Sequence, residues 1–597
     1  MERSRILLIL CVAALGCEKA TTPAAPTPAA APPVAAAPAA APTPAKGPQA
    51  RAALTGEVTD YHGRPMAGVE VTARDDARAW DVSVFTDGNG HFAFPPLETG
   101  PYRMWVKLLG FERRERSVQL PAEGLNVDFG DVRSSDEPFA QLPSSYYFSL
   151  MKWPNADLRG NFALACANCH QIGDPLWRKH RTQAEWDAVV ARMKFRGPPL
   201  LEEASRLLVP TVMEALAPDR KLDFKMPAPP TGDATRAVIW EYEVDPAGRN
   251  GCHDLAIGKD GTVVTEDGFL VNPETLERKH FPVPQGAHSI ETGPDGNMWV
   301  TVTGLDLLSK IDVKTGQVKN YEHPQIGEDK GKYPHTLRFD AKGRIWYTLT
   351  VSNHVAVFDP QTEKFQYIRL PGPMDWKGPT PIPVAYGLDV APDQSVWWTQ
   401  LLSDTIGVVD PETHAVRSWK SPVKGPRRLY VGPDGIVWVP GYASSNLGRF
   451  DPKTEQWKVY PLPTEPAGFE LPYALAVNRK SGDVWIAGSN SDTLIRFHPA
   501  TEQWTVFPLA TPVDFTREIE FDPEGNVWTC APDRGTGPEG PLSGRFIKLH
   551  LLEREGKCGD GAIQLGEQCD DGNTKAGDGC SPDCNWEQQH QTVAFKD

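Results

Sequence analysis

The chain has 597 residues, which at roughly 150 residues per domain predicts about four domains rather than one compact unit. Lys plus Arg total 61 and Asp plus Glu 77, a formal charge of −16, which argues against nucleic acid or an anionic membrane surface as the main partner. The 18 Trp and 23 Phe can fill several cores, whereas 57 Pro and 52 Gly point to many turns and away from helical bundles.

The N-terminus reads as an export signal over residues 1–17: Arg3 and Arg5 precede the apolar run Ile6–Leu15, and Gly16 and Cys17 follow. That run is the longest apolar one and is too short to span a bilayer. Ala14-Leu15-Gly16-Cys17 resembles the bacterial lipobox, whose Cys becomes the lipidated first residue. The resemblance implies a lipid anchor at Cys17, contact with membrane through that anchor only, and a place in the periplasm, outer membrane or cell surface of a Gram-negative bacterium. An ordinary secretory signal that discards Cys17 is the alternative. Residues 18–53 are almost wholly Ala, Pro and Thr, too poor in large apolar groups to offset the entropy of ordering, and read as a tether.

Residues 54–135 carry short alternating runs such as Gly68–Ala73 and His91–Phe94, with the turn cluster Asp87-Gly88-Asn89-Gly90 of a kind that hairpins favour, and predict a small β-sandwich. The segments Leu54–Val58, Pro65–Val69, Thr86–Phe92 and Gly100–Tyr102 resemble the carboxypeptidase regulatory-like, transthyretin-like domain, which implies a spacing or binding module rather than a catalyst.

Residues 140–225 show helical patterning around Cys166-Ala-Asn-Cys169-His170. Cys-x-x-Cys-His is the signature of covalent c-type haem: two thiols add to the haem vinyls and the adjacent imidazole reaches iron. A zinc pair would need a second ligand pair and a redox dithiol a βαβ unit, and neither is visible. One haem c is therefore expected on Cys166 and Cys169, with His170 as proximal ligand. Thr182 and Glu185 form a capping box opening a helix on which Trp186, Val189, Val190 and Met193 fall at i, i+3, i+4 and i+7. Met193 is thus expected to face inward as the sixth ligand, with Met213 and His180 as rivals. The stretch Glu185-Trp186 to Met193 is also similar to the segment after Cys-x-x-Cys-His in haem domains of the quinohaemoprotein dehydrogenase type, where a Met from such a helix binds iron.

Residues 236–552 repeat. Seven copies open on His253, His288, His335, Tyr386, Arg427, Tyr473 and Arg517, at intervals of 35, 47, 51, 41, 46 and 44 residues. Trp299, Trp346, Trp397, Trp438 and Trp528 lie 11 positions after their lead residues, and Trp485 lies 12 after. Four strand-like segments per copy predict one propeller blade each, hence seven blades. Val238–Val244 has the character of a fourth strand and Phe546–Leu549 that of a third, so one blade is expected to be assembled from both ends, which removes exposed sheet edges. The lead residues should ring one mouth of the channel, where three His and two Arg could take an anion, a metal or a substrate needing an imidazole base. Cys252 precedes the first inner strand and Cys530 lies two after Trp528, which places both on one rim of adjacent blades and predicts a disulfide.

Residues 557–587 hold four Cys, at 558, 569, 580 and 584, which read as two disulfides with three possible connectivities. The segment resembles the myxobacterial cysteine-rich repeat. Its Asp and Asn offer calcium oxygen ligands, with solvated turns as the plainer reading.

The recurring Pro-His-x-Ile/Leu, Gly-Pro-Asp-Gly-x-x-Trp, Asp-Pro-x-Thr and Tyr-x-Leu-Pro elements resemble the virginiamycin B lyase (streptogramin lyase) family over about half the chain. The resemblance implies a C–O lyase that opens a cyclic depsipeptide with a His base and magnesium, and maps catalytic roles onto His288 and His335, with His253 and His288 as the alternative pair. The family's metal-binding Glu positions are Tyr333 or Gly286 and Thr350 or Val302 here, and Glu266 and Asp267 occupy a comparable place only in the first copy, whose preceding neighbour around the ring carries Arg517, so magnesium is not expected. The fold class is thus multidomain and mainly β: sandwich, helical haem domain, seven-bladed propeller and disulfide-rich tail. Electron transfer with the propeller as platform for a redox partner protein or small-molecule substrate is the leading expectation, followed by a lyase with an accessory haem domain and by a surface interaction protein.

Overall fold

The computed structural model describes residues 50–168, 170–193, 200–246, 251–326, 332–372, 383–532, 544–553, 558–559, 561, 567, 569–577, 580–582 and 584. Cys17, Cys169, the signal segment and nearly all of the tether lie outside the described residues. The described chain is mainly β, with four α-helices, and no helix in it is long and apolar enough to cross a membrane.

Six four-stranded antiparallel sheets follow one another from Leu255 to Pro508, each a meander in chain order. One of them runs Pro334–Phe339, Ile345–Leu349, His354–Asp359, Lys364–Arg369. The strands that open successive sheets pack side by side, and Leu255–Ile257 of the first also meets Glu520–Phe521 of the last, so the arrangement is a propeller-like ring. The last sheet is drawn from both ends of the repeat region: Glu520–Phe521, Val527–Ala531 and Arg545–Leu551 are completed by Ala237–Glu243, with Ile239 opposite Leu549.

The side chains that join neighbouring sheets recur at fixed places. The Trp at position 11 is buried, as with Trp299, Trp346 and Trp528. Two residues later, Thr301 Oγ1 donates to the carbonyl of His335 (2.8 Å), Thr348 to that of Tyr386 (2.7 Å) and Thr399 to that of Arg427 (2.7 Å). Each hydroxyl thus ties one sheet to the lead residue of the next. In the last sheet this place belongs to Cys530, and the structure pairs it with Cys252, Cα–Cα 5.7 Å, so the junction where the ring closes is covalent.

The segment 51–132 packs a three-stranded sheet (His91–Ala93, Leu54–Asp60, Leu125–Val132) on a four-stranded one (Trp80–Phe85, Glu70–Asp75, Gly100–Lys107, Arg114–Leu120) around Val58, Val71, Val82, Phe92, Met104 and Phe129. The turn Asp87–Gly90, expected in a hairpin, instead carries the chain from one sheet to the other, because Trp80–Phe85 pairs with Glu70–Asp75 while His91–Ala93 pairs with Leu54–Asp60. Asp87 Oδ1 accepts from the amides of Asn89 and His91 and fixes that corner. On its outer edge Trp80–Phe85 also pairs with Ala237–Glu243, Ile239 opposite Ser83, so sandwich and ring share one eight-stranded sheet. Arg545 spans the junction, reaching Asp81 (3.1 Å) and Glu241 (2.8 Å).

Between sandwich and ring lie the helices Ser144–Ser149, Ala156–Cys166, Gln183–Met193 and Glu202–Ala215. The expected capping box is formed: the Thr182 amide donates to Glu185 Oε2 (2.7 Å) and the Glu185 amide to Thr182 Oγ1 (3.4 Å). Trp186 is buried and Val189 and Val190 are half-buried against Glu202–Ala215. Met193 departs from expectation. It ends its helix one turn beyond Val189 and Val190 and is 44% exposed, so the apolar stripe does not carry it inward. In the tail the disulfides are nested, Cys558–Cys584 outside Cys569–Cys580.

The Cys252–Cys530 bond closes a loop of 278 residues in sequence separation and removes much of its entropy from the unfolded chain. Replacing both Cys with Ser is expected to lower unfolding free energy by about 3 to 5 kcal/mol in denaturant titrations, with the ring's optical signature intact before the transition.

Candidate functional site

All seven lead residues are buried and converge at one mouth of the ring. The rings of His253 and His288 lie 4.0 Å apart by centroid, those of His288 and His335 3.9 Å, and those of His335 and Tyr386 4.1 Å. Tyr473 reaches across the mouth: its hydroxyl is 2.6 Å from that of Tyr386 and 3.3 Å from His253 Nε2. The Arg427 guanidinium stacks on Tyr442 (3.8 Å) and Tyr473 (4.0 Å), and Arg517 lies over Phe515 (4.8 Å). His288 and His335, the residues assigned catalytic roles by resemblance, are therefore neighbours with 1% exposure each.

In four of the seven copies a β-bulge helps bring the polar lead residue into the channel. Registers shift between Ala287 and Ser289, Pro334 and Leu337, Ala385 and Leu388, and Pro472 and Leu475. Such an extra residue re-aims the strand locally, which breaks the strict inward–outward alternation at the lead position. Residues directly after a lead residue form a second charged layer: Arg428 pairs with Asp254 (2.8 Å) and with Glu518. Arg338, three positions after its lead, bonds Glu518 (3.1 Å) and Glu291 (3.1 Å). None of these charges was singled out from sequence, although Asp254, Arg428 and Glu518 each adjoin a residue that was.

The carboxylates here are committed. Asp254 Oδ1 accepts from His253 Nδ1 (2.7 Å), and the two Glu266 oxygens accept the amides of His253 (2.9 Å) and Asp254 (3.0 Å). Burial pushes His253 down to about 3, with the Arg517 charge adding to it, and burial likewise holds His288 and His335 well below the usual imidazole range. The Arg428 charge keeps Asp254 ionised despite its burial.

The described residues around the Cys-x-x-Cys-His motif are held against this mouth. Cys166 ends the helix Ala156–Cys166, and the two residues after it are held by the ring: Tyr442 Oη donates to the Ala167 carbonyl (2.5 Å) and Arg427 donates to Asn168 Oδ1. Beyond His170, Gln171 Nε2 donates to the Ser489 carbonyl (3.0 Å) and to Asp492 Oδ1 (2.5 Å). His170 Nδ1 lies 2.9 Å from the Gln171 carbonyl and 3.1 Å from Trp177 Nε1. A neutral ring can serve only one of these, and as donor to the carbonyl it leaves the Nε2 lone pair for a metal, the arrangement that orients ligating imidazoles. Phe162, Trp177, Trp186, Leu208, Val212 and Met213 supply an apolar wall around this segment. A thiol, an anchored imidazole and an apolar wall fit a covalently bound haem. Of the rival sixth ligands, Met213 packs in that cluster, whereas His180 is exposed with Nδ1 3.0 Å from the Leu216 carbonyl.

In the tail, Asp570 accepts from the amides of Gly559, Gly561 and Gly572, so its oxygens organise turns.

Residues 53–130 match the carboxypeptidase regulatory-like domain family. No curated protein matches the chain. Among solved structures, virginiamycin B lyase from Staphylococcus aureus is 17% identical, covering 53% of this chain and all of that one, TM-score 0.45. A streptogramin B lyase is 19% identical over 53% of this chain and 98% of its own, TM-score 0.44. The WD40 repeats of RRP9 are 11% identical over 52% and 97%, TM-score 0.42. These are likenesses of fold.

Because the fold holds its three mouth imidazoles neutral, the unfolded chain binds protons below about pH 6.5 that the folded chain does not. Their contribution is therefore fully present above about pH 6.5 and is lost as pH falls toward 3. Melting temperature is expected to drop over that window, and less steeply in His253→Gln/His288→Gln; a flat wild-type profile between pH 7 and 5 would contradict this.

Proposed function

We propose that the chain is an exported, lipid-anchored c-type haem protein that transfers electrons, with its seven-bladed propeller as the platform for a small-molecule substrate or redox partner protein. The observation that carries this reading is the seating of the haem-attachment segment on the channel mouth, through Tyr442 to Ala167, Arg427 to Asn168 and Gln171 to Asp492. Cys166 and Cys169 supply thioether bonds and His170 the proximal nitrogen. A haem bound there supplies a one-electron carrier. The chain's own residues fix its place: the Gln171 carbonyl orients His170, the apolar wall excludes water, and Arg427, stacked on Tyr442 and Tyr473, links the attachment segment to the buried mouth.

Expressed in a host that matures c-type haem, the protein is expected to keep its absorbance after extraction with acidified organic solvent, and Cys166→Ser to lose the two-thioether spectrum. Haem that extracts freely from wild type, or fails to bind, would refute the assignment. Burial favours Met213 over Met193 as sixth ligand, so the weak long-wavelength band of a Met–iron bond should vanish in Met213→Ala and persist in Met193→Ala.

A lyase reading meets two obstacles. His288 and His335 are each 1% exposed, which leaves little room for a bulky cyclic depsipeptide, and the nearby carboxylates already serve Arg428, Arg338 and backbone amides. Losing electrostatic stabilisation of a developing enolate typically costs about 10²- to 10³-fold in rate. Incubation with a B-type streptogramin and magnesium is expected to leave it intact; rapid opening abolished in His335→Ala would reverse the ranking.

A further inference from the structure

His288 is the unresolved element of the mouth. It is 1% exposed, and among the described residues neither of its ring nitrogens has a hydrogen-bond partner. Buried polar groups are nearly always paired, so an imidazole held between two others with both nitrogens unengaged calls for a ligand. Its neighbours are prepared for the same one. A carboxylate oxygen on His253 Nδ1 (2.7 Å) puts the proton there and the lone pair on Nε2. His335 Nδ1 is likewise engaged at 2.9 Å by the Thr336 hydroxyl. One ligand atom each from His253, Asp254 and His288 lies within 4.8 Å of the others.

We propose that His253 and His288, with His335 beside them, form a binding site for one divalent first-row transition-metal ion of the copper(II) or zinc(II) class. Neutral imidazole is the ligand such ions prefer, whereas magnesium and calcium need oxygen ligands that this mouth has committed elsewhere. Asp254 acts from behind the His253 ring, as carboxylates do around ligating histidines, and supplies the balancing negative charge. Arg428, the cation facing that carboxylate, is itself neutralised by Asp254 and Glu518. The Tyr473 hydroxyl, 3.3 Å from His253 Nε2, has its shorter partner in Tyr386 at 2.6 Å and can leave that nitrogen to the metal. The site does not depend on the haem reading.

The test uses the full mature chain with no added histidines. It is loaded separately with zinc and copper, passed through a desalting column with a weak chelator, and measured by elemental analysis and, for copper, by electron paramagnetic resonance. One ion per chain and nitrogen splitting of the copper signal are expected. His288→Gln should lose at least tenfold in affinity, while His414→Gln, on the outer surface, should not. Because His288→Gln could fail to fold, its melting temperature is measured with and without metal. Wild type should be raised by zinc, since a ligand of the native state alone stabilises it, and a folded His288→Gln should not. Cys166→Ser is loaded in parallel: metal retained without covalent haem separates this site from the haem assignment. A chain that retains no ion, or binds equally with His288→Gln, overturns the proposal, as does retention of phosphate in place of metal.

Discussion

One strand organises the molecule. Ala237–Glu243 is hydrogen-bonded on one side to Arg545–Leu551 and on the other to Trp80–Phe85, so the same seven residues close the ring and attach the sandwich to it. An open ring would expose two unpaired sheet edges, and the pairing removes both while fixing where the chain must re-enter. The residues between the sandwich and this strand have to pass over the ring, and they do so as the helical segment that carries Cys166 and His170. Placement of the attachment loop on the channel mouth is thus a consequence of closure together with three local bonds, from Tyr442, Arg427 and Gln171. Cys252–Cys530 secures the same junction from the channel side, at the place where other sheets use a Thr hydroxyl.

The mouth itself is expensive to build. Isolated buried charges are strongly disfavoured, and even paired ones return their desolvation cost only with good geometry. Here Asp254, Arg428, Glu518 and Arg338 form one continuous chain of ion pairs, and Glu266 accepts with both oxygens from the amides of His253 and Asp254. That investment keeps the first layer rigid: three imidazoles and two phenols held at fixed spacing by groups behind them. Hydrophobic residues of similar volume would have filled the channel at lower cost, so the polarity there is better read as machinery than as core.

The ring was legible because its signals are local and periodic. Lead residue, Trp 11 positions on and Asp-Pro-x-Thr turn recur at a mean spacing of 44 residues, and the two half-sheets at Val238 and Phe546 carry recognisable strand character. The Cys252 to Cys530 pairing followed from the same register. What stayed hidden lacks a local signature. Pairing of Ala237–Glu243 with Trp80–Phe85 joins two edges that each read as an ordinary strand. Bulges in the strands of His288, His335, Tyr386 and Tyr473 cannot be told from regular strand in the sequence, and the charged layer of Asp254, Arg428 and Glu518 has no periodic signal of its own. Met193 illustrates the opposite error: spacing at i+7 was sound, but a helix buries only as far as its neighbour reaches, and Glu202–Ala215 leaves that end uncovered.

The two halves of the site constrain one another. A haem on Cys166 and Cys169 could serve any partner if it stood on a free domain, but here the residues flanking the first thiol are held by the ring, and the ring's Arg427 and Tyr442 are held by them in turn. Separation would strip Asn168 and the Ala167 carbonyl of their partners and open the stacked face of Tyr442 to water, each a penalty that buried polar and aromatic groups exact. The helical segment is therefore fixed on the ring, and His288, 1% exposed, is within reach of ions and small molecules rather than of folded protein.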